Sequence, residues 1–271
     1  MRPLLVSSET NNRLIKMNVS LWNYLFLVVT AFSFLIIFFC IFFDQAILTR
    51  RGTIYRVHTK QKKVVLTFDD GPSPQWTPKI LEELRKANIK ATFFMIGHHV
   101  KKYPSIAKRV AEDGHTIGNH GFAHSVILYY NLAEIEEEIK YTEFVIKEIT
   151  GQTTKYFRPP KAWLTKSIKE KIKSMGYETV LWSLNSKDWV SFNHRTMVNF
   201  INRRVCNGDI LLFHDSGNIL STEGRNRSQT VKAIPLLVKS LKEKGFEFVN
   251  LEDLLNGQKQ TPIFVDEILR S

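Results

Sequence analysis

From Lys63 onward the chain alternates between short, apolar, β-rich runs and amphipathic helical stretches. That alternation constrains the architecture most. A strand followed by a helix brings the chain back as a parallel neighbour of the first strand. The pattern predicts strands over Lys63–Phe68, Ala91–Ile96, His115–Gly118, Tyr156–Arg158, Glu178–Leu184, Asp209–His214 and Phe246–Val249. Helices are predicted over Thr77–Ala87, Tyr103–Glu112, Leu132–Thr150, Thr165–Met175, Arg195–Val205 and Thr230–Lys244. Gly114, Gly151, Gly176 and Gly245 stand where four of these helices should stop. The result is an α/β chain with a parallel sheet and helices outside it. A closed α/β barrel and an open doubly wound sheet both accommodate the pattern.

One stretch lies outside this regime. Leu21 to Phe43 holds 23 residues without a charge. At about 1.5 Å per residue that crosses a hydrocarbon core of about 30 Å. No small-residue cleavage site follows it, so the expectation is a single uncleaved transmembrane helix. Around it the chain divides into a polar cytoplasmic tail (1–20), the anchor (21–43), a basic linker (44–62), the domain proper (63–258) and a C-terminal tail (259–271). The basic residues after the anchor outnumber those before it, which by charge count alone favours the opposite orientation. Net charge is +12, of which residues 1–44 carry +1, from Arg2, Arg13 and Lys16 against Glu9 and Asp44. The remaining +11 suits an anionic envelope, and no basic run interleaved with aromatics suggests nucleic acid. The two cysteines, Cys40 and Cys206, are far apart, so neither a disulfide nor a thiolate metal site is expected. A metal would need nitrogen and oxygen ligands.

Polar and titratable residues recur where the predicted strands end. Asp69 and Asp70 follow the first, and Asn119-His120 and then His124 the third. Arg158-Pro159-Pro160 follows the fourth, Asp188-Trp189 the fifth, and His214-Asp215 the sixth. In a parallel barrel that rim carries the active site. Taken singly, each has a commoner explanation. Two histidines four apart share a face of a helical turn and suit a metal, but are more often surface residues. Asp-Asp before Gly-Pro is a turn sequence. An arginine before Pro-Pro is usually structural, and a histidine on an apolar strand usually belongs to the core. Their occurrence at five strand ends together points to a site.

TFDDGP (Thr67–Pro72), HGFAHS (His120–Ser125), FRPP (Phe157–Pro160), Asp188-Trp189 and LFH (Leu212–His214) resemble, in order, five motifs of the polysaccharide deacetylases, carbohydrate esterase family 4. The resemblance spans about Lys63 to Leu255. It implies a distorted (β/α)7 barrel that removes N-acetyl groups from an amino-sugar polymer. Peptidoglycan N-acetylglucosamine is the expected substrate; N-acetylmuramic acid, chitooligosaccharide and poly-N-acetylglucosamine are the alternatives. A non-catalytic, membrane-tethered wall-binding module and a non-sugar amidase are readings of other classes. By resemblance, Asp70, His120 and His124 would hold one divalent metal ion, expected to be zinc. Asp69 would be the general base, paired with and oriented by Arg158. His214 would be the general acid, stabilised by Asp188. Trp189 and Leu212 would line the pocket for the acetyl methyl group, and the Lys161 N–H would face the oxyanion. The chain departs from the family after Arg-Pro-Pro, where Lys161-Ala162 replaces an aromatic residue and glycine. His58, His98, His99, His115 and His194 match no motif.

Overall fold

The computed structural model describes residues 21–36, 45–191, 193–217, 223–224 and 226–256. It contains two units, divided after Asp44. In the first, residues 21–36 form helix α1, with side chains such as Trp22, Phe26 and Phe34 exposed. Thr30 and Ser33 turn their hydroxyls back onto the Phe26 and Val29 carbonyls (2.7 and 2.8 Å). Among the described residues, no helix is long and apolar enough to cross a membrane. Residues 37–43 of the expected anchor, the tail 1–20 and the C-terminal tail lie outside the described residues.

The second unit is a parallel sheet wrapped by helices. Its strands are β1 (Lys63–Asp69), β2 (Thr92–Met95), β3 (Thr116–Asn119), β4 (Tyr156–Phe157), β5 (Glu178–Thr179), β6 (Leu184–Asn185), β7 (Asp209–His214) and β8 (Glu247–Phe248). They run in the order β5-β4-β3-β2-β1-β7-β6, with β8 on the start of β1. The helices are α2 (Thr77–Lys86), α3 (Gly97–Lys102), α4 (Pro104–Glu112), α5 (Leu132–Thr150), α6 (Lys166–Ser174), α7 (His194–Asn202), α8 (Ser228–Glu243) and α9 (Leu251–Asn256). Helix α5 has the boundaries its sequence announces. Asn131 and Glu134 form a reciprocal capping box, and Gly151 closes the helix at φ 71°.

Strand alternation divides the core into two layers. Val64, Leu66, Phe68, Leu211 and Phe213 point outward and pack beneath helices α2, α4, α7 and α8. Val65, Phe94, Ile210 and Leu212 point to the concave side, with Val180 and Trp182. The period of two then places Asp69 and His214, register partners at the ends of β1 and β7, over the concave layer.

Two expectations are corrected. The barrel is open rather than closed. Residues Glu178–Leu184, read as one strand, are split into β5 and β6 because Val180 and Leu181 turn their carbonyls to the Arg158 side chain (3.1 and 3.0 Å). Part of the stretch read as a linker fills the break. Ile54 bridges Val180, with Ile54 N donating to Thr179 O (2.8 Å) and Leu181 N to Ile54 O (2.7 Å). Arg56 pairs with the buried Asp209 (2.6 Å), and Ala46 and Val57 are buried in the concave layer. The second correction concerns His120 to His124, which is a loop with His124 at φ 57°, not a helical turn. Helices α3 and α9 were not anticipated.

Candidate active site

The chain leaves β1 into a left-handed residue. Asp70 sits at φ 76°, a conformation that costs a residue with a Cβ about 1–2 kcal/mol. Three elements hold this turn through successive carbonyls. Asp215 N–H donates to Asp69 O (3.1 Å), the His99 ring to Asp70 O (2.7 Å) and Ile96 N–H to Gly71 O (2.9 Å). The turn is also tightly enclosed. A Cβ on Gly71 would stand 2.1 Å from Asp215 Oδ2, and one on Gly217 would stand 2.2 Å from Asp70 Oδ2.

So held, the two adjacent aspartates separate. Asp70 Oδ1 faces His124 Nε2 at 3.1 Å and His120 Nε2 at 3.4 Å. One ligand atom from each of the three residues lies within 4.8 Å of the others, the only such cluster among the described residues. His120 Nδ1 lies 2.7 Å from Arg158 O, an acceptor only, so Nδ1 carries the proton and Nε2 presents its lone pair to the cluster. Burial alone would raise the Asp70 carboxyl; the His124 and His120 imidazoles outweigh it and hold the group well below the usual carboxylate range. Two imidazoles and a carboxylate fit a divalent cation and leave coordination positions open, as a hydrolytic site requires.

Asp69 turns to Arg158. The guanidinium, fully buried, donates to Asp69 Oδ1 (2.6 Å), Thr67 Oγ1 (2.8 Å), Val180 O and Leu181 O, and stacks 3.9 Å from the Phe94 ring centroid. Burial lowers its pKa against the opposing effect of Asp69. Asp69 Oδ2 is left facing the cluster, 3.9 Å from His120 Nε2.

Across the site, His214 Nδ1 pairs with Asp188 Oδ1 at 2.7 Å. Asp188 Oδ2 also accepts from His214 N (2.8 Å) and Thr230 Oγ1 (2.9 Å), which fixes the carboxylate in place. Burial would push Asp188 up; His214 and Arg227 reverse this and hold it at about 2. Burial likewise disfavours the His214 cation, but Asp188 outweighs it and raises the imidazole above its ordinary value.

The remaining expected residues are placed less tightly. Leu212 is buried in the concave layer, and Trp189 is half-buried after β6. Lys161 is exposed, with both it and Ala162 left-handed at φ 58° and 57°. Ala162 therefore adopts the conformation that glycine would take more readily. Its N–H closes onto Pro159 O (3.0 Å), and its carbonyl accepts from Thr49 Oγ1 (2.7 Å) in the segment before β1.

Four residues at this rim were given no role on sequence. Buried Arg227 donates to Ser216 O and Gly217 O and stands 3.7 Å from Asp188. Thr230 completes the Asp188 shell. Asp215, bonded to Thr77 Oγ1 (2.5 Å), is raised to about 7 by burial. His99 supports Asp70. The sequence signal for three of them was proximity, since Arg227 and Thr230 follow β7 within one loop and turn of helix, and Asp215 adjoins His214.

Comparison with known proteins agrees with this fold. The polysaccharide deacetylase family matches residues 56–180. A peptidoglycan-N-acetylglucosamine deacetylase of Bacillus cereus is 36% identical over 207 residues, covering 74% of this chain and 92% of the relative. The peptidoglycan-N-acetylmuramic acid deacetylase PdaA of Bacillus subtilis is 31% identical, covering 78% of each. A chitooligosaccharide deacetylase of Azorhizobium caulinodans is 34% identical, covering 72% of this chain and 95% of the relative. Among solved structures, the Bc1960 peptidoglycan N-acetylglucosamine deacetylase superposes with a TM-score of 0.72 at 31% identity, over 80% of this chain and 99% of that one. A pseudoenzyme of the same family from Bacillus anthracis reaches 0.69 at 27% identity, over 76% and 69%. With its ordered motifs at one strand rim and the Bacillus cereus relative matched over 92% of its length at 36% identity, the chain belongs to the polysaccharide deacetylases, carbohydrate esterase family 4.

Proposed function

We propose that this deacetylase is metal-dependent and hydrolyses the N-acetyl group of peptidoglycan N-acetylglucosamine, releasing acetate and a free amine. The carrying observation is the division of the aspartate pair, Asp70 toward two imidazoles and Asp69 toward Arg158. Asp70, His120 and His124 would hold the divalent cation, expected to be zinc; when bound it lowers the pKa of water and polarises the acetamide carbonyl. Asp69 accepts a proton from the attacking water through the carboxylate that Arg158 orients. The Lys161 N–H supports the charge developing on the carbonyl oxygen. His214, held as imidazolium by Asp188, delivers a proton to the departing amine. Leu212 and Trp189 border the space for the acetyl methyl group. The substrate follows the named relatives, of which those acting on N-acetylglucosamine in peptidoglycan include the 36% identical protein of Bacillus cereus.

In this reading residues 21–43 anchor the enzyme in the cell membrane, with 1–20 inside and the catalytic unit outside, beside the wall. The apolar run supports it, as does the internal satisfaction of Thr30 and Ser33, since polar groups in a bilayer need partners within the helix. Acetate release from N-acetylated peptidoglycan by the full-length protein tests the activity. Release should stop with a chelator and return on adding zinc. Release undiminished by exhaustive chelation rejects the metal role, and no release from any N-acetyl glycan rejects the activity. Protease treatment of intact cells tests the placement, which fails if the catalytic unit stays protected.

A further inference from the structure

Helix α3 is only six residues long, yet it touches every segment that supplies the metal cluster. Its first backbone N–H groups hold the histidine loop, Gly97 N donating to Gly121 O (2.9 Å) and His98 N to Phe122 O (3.0 Å). On its inner side, His99 reaches back to the aspartate turn, with Nδ1 2.7 Å from Asp70 O. A carbonyl only accepts, so the proton is on Nδ1. The ring is 1% exposed, and its buried Nε2 has no hydrogen-bond partner among the described residues, with Glu223 Oε1 3.5 Å away.

A buried polar atom left unbonded is a cost that an apolar residue at position 99 would avoid. The return lies on the other ring nitrogen. Of the three successive carbonyls pinned in the turn, those of Asp69 and Gly71 are held by backbone N–H groups. The carbonyl of Asp70 is held by a side chain. Asp70 is also the left-handed residue of the three. A non-glycine residue stays in that conformation only where its surroundings over-determine it. If the Asp70 backbone relaxed out of this left-handed conformation, the direction of its Cα–Cβ bond, and with it the aim of the carboxylate at His120 and His124, would change.

We propose that His99 is a positioning residue for the metal site. Its Nδ1–H fixes the Asp70 carbonyl, and thereby the strained conformation that aims the Asp70 carboxylate at the two histidines. The inference rests on the metal reading above, with Asp70, His120 and His124 as the ligands. His99 itself contributes no ligand atom, and α3 acts as a common support, holding one loop by its backbone and the other by this side chain.

The test compares two variants of the full-length protein. His99→Asn keeps a donor at the place of Nδ1, whereas His99→Leu removes it and keeps an apolar body. Zinc affinity is measured by competition with a chromophoric chelator, and thermal unfolding is followed on the metal-free proteins. Partners of metal ligands typically contribute 10–100-fold in affinity. The expected result is a loss of that size in His99→Leu and a loss below about threefold in His99→Asn on the same scale. Wild-type zinc affinity in His99→Leu would overturn the proposal. So would equal loss in both variants, which assigns the residue to packing alone. If His99→Leu does not fold, the Asn variant decides by itself: near-wild-type affinity supports the role, and a tenfold loss overturns it. Asp70→Ala serves as the control for the underlying reading. Unchanged affinity in that variant rejects the metal site and His99 with it, whereas loss in Asp70→Ala without loss in His99→Leu rejects His99 alone.

Discussion

Replacing Arg158 by lysine should damage stability and turnover together, even though charge is conserved. The guanidinium spreads its donors over Asp69, Thr67, Val180 O and Leu181 O, acceptors contributed by β1 and by the break between β5 and β6. An ammonium group has three donors radiating from one atom and cannot span that set. If it keeps Asp69, the Val180 and Leu181 carbonyls lose their buried partner. Each unsatisfied group costs about 1–3 kcal/mol. Stacking on Phe94 adds about 1 kcal/mol or more at a desolvated site. The total, about 3–7 kcal/mol, brackets the roughly 3–5 kcal/mol lost on breaking a buried ion pair. At roughly 2–4 °C per kcal/mol for a domain of this size, the melting temperature of Arg158→Lys should fall by about 6–28 °C. Below its melting point the variant should also lose about 100-fold or more in kcat, because general-base catalysis contributes about 10²–10⁴-fold and the base has lost its orientation. Circular dichroism melts and acetate-release kinetics at 20 °C give both numbers. Melting within about 2 °C of wild type would refute the burial argument, and an unchanged kcat would refute the orientation of Asp69.

Asp188→Asn removes the charge that raises His214; with a charge-assisted bond worth about 1.5–3 kcal/mol, the alkaline limb of the kcat profile should move down by about 1–2 pH units. An unshifted limb would remove His214 as the acid. His115, buried with Nδ1 accepting from Ala91 N–H, is lowered to about 4, chiefly by desolvation. The unfolded chain therefore binds more protons between its ordinary value and about pH 4, and stability falls as pH drops through that window, by up to about 3 kcal/mol. Urea midpoints at pH 7 and 4.5 should differ less in His115→Asn, which retains an acceptor near Nδ1. Gly217→Ala forces a Cβ to 2.2 Å from Asp70 Oδ2 at a φ of 68° and should weaken zinc binding while costing about 1–2 kcal/mol of stability. Chelator titration and thermal melts of that variant check both effects.

The legible parts of the chain were those governed by local rules. Helix α5 runs between its capping box and Gly151 as written, because both ends are satisfied by neighbours in sequence. The strand ends were readable for the same reason, and the alternation along β1 and β7 placed Asp69 and His214 on one face. What was not legible depended on partners far away. Val180 and Leu181 look like strand interior, yet Arg158, more than 20 residues earlier, takes their carbonyls and ends the ladder. His120 and His124 have helical spacing, but the intervening loop is held by α3 and by the Glu138 carboxylate, which accepts from Phe122 N (2.8 Å). His99 carries no local mark at all; its role is visible only once the Asp70 carbonyl is seen above it.

The segment stitched between β5 and β6 changes where this enzyme can be joined to other sequences. A recombination point chosen at the first strand, Lys63, would discard Ile54, which bridges Val180 beside β5, and Thr49, which grips the carbonyl of the left-handed Ala162. It would also strip Ala46 and Val57 from the concave layer they share with Val65, Ile210 and Leu212. The interchangeable junction lies before Gln45 instead. Exchange of the N-terminal unit is then a neutral operation only if residues 45–62 travel with the sheet, so the portable module is longer at its front than its strand pattern advertises.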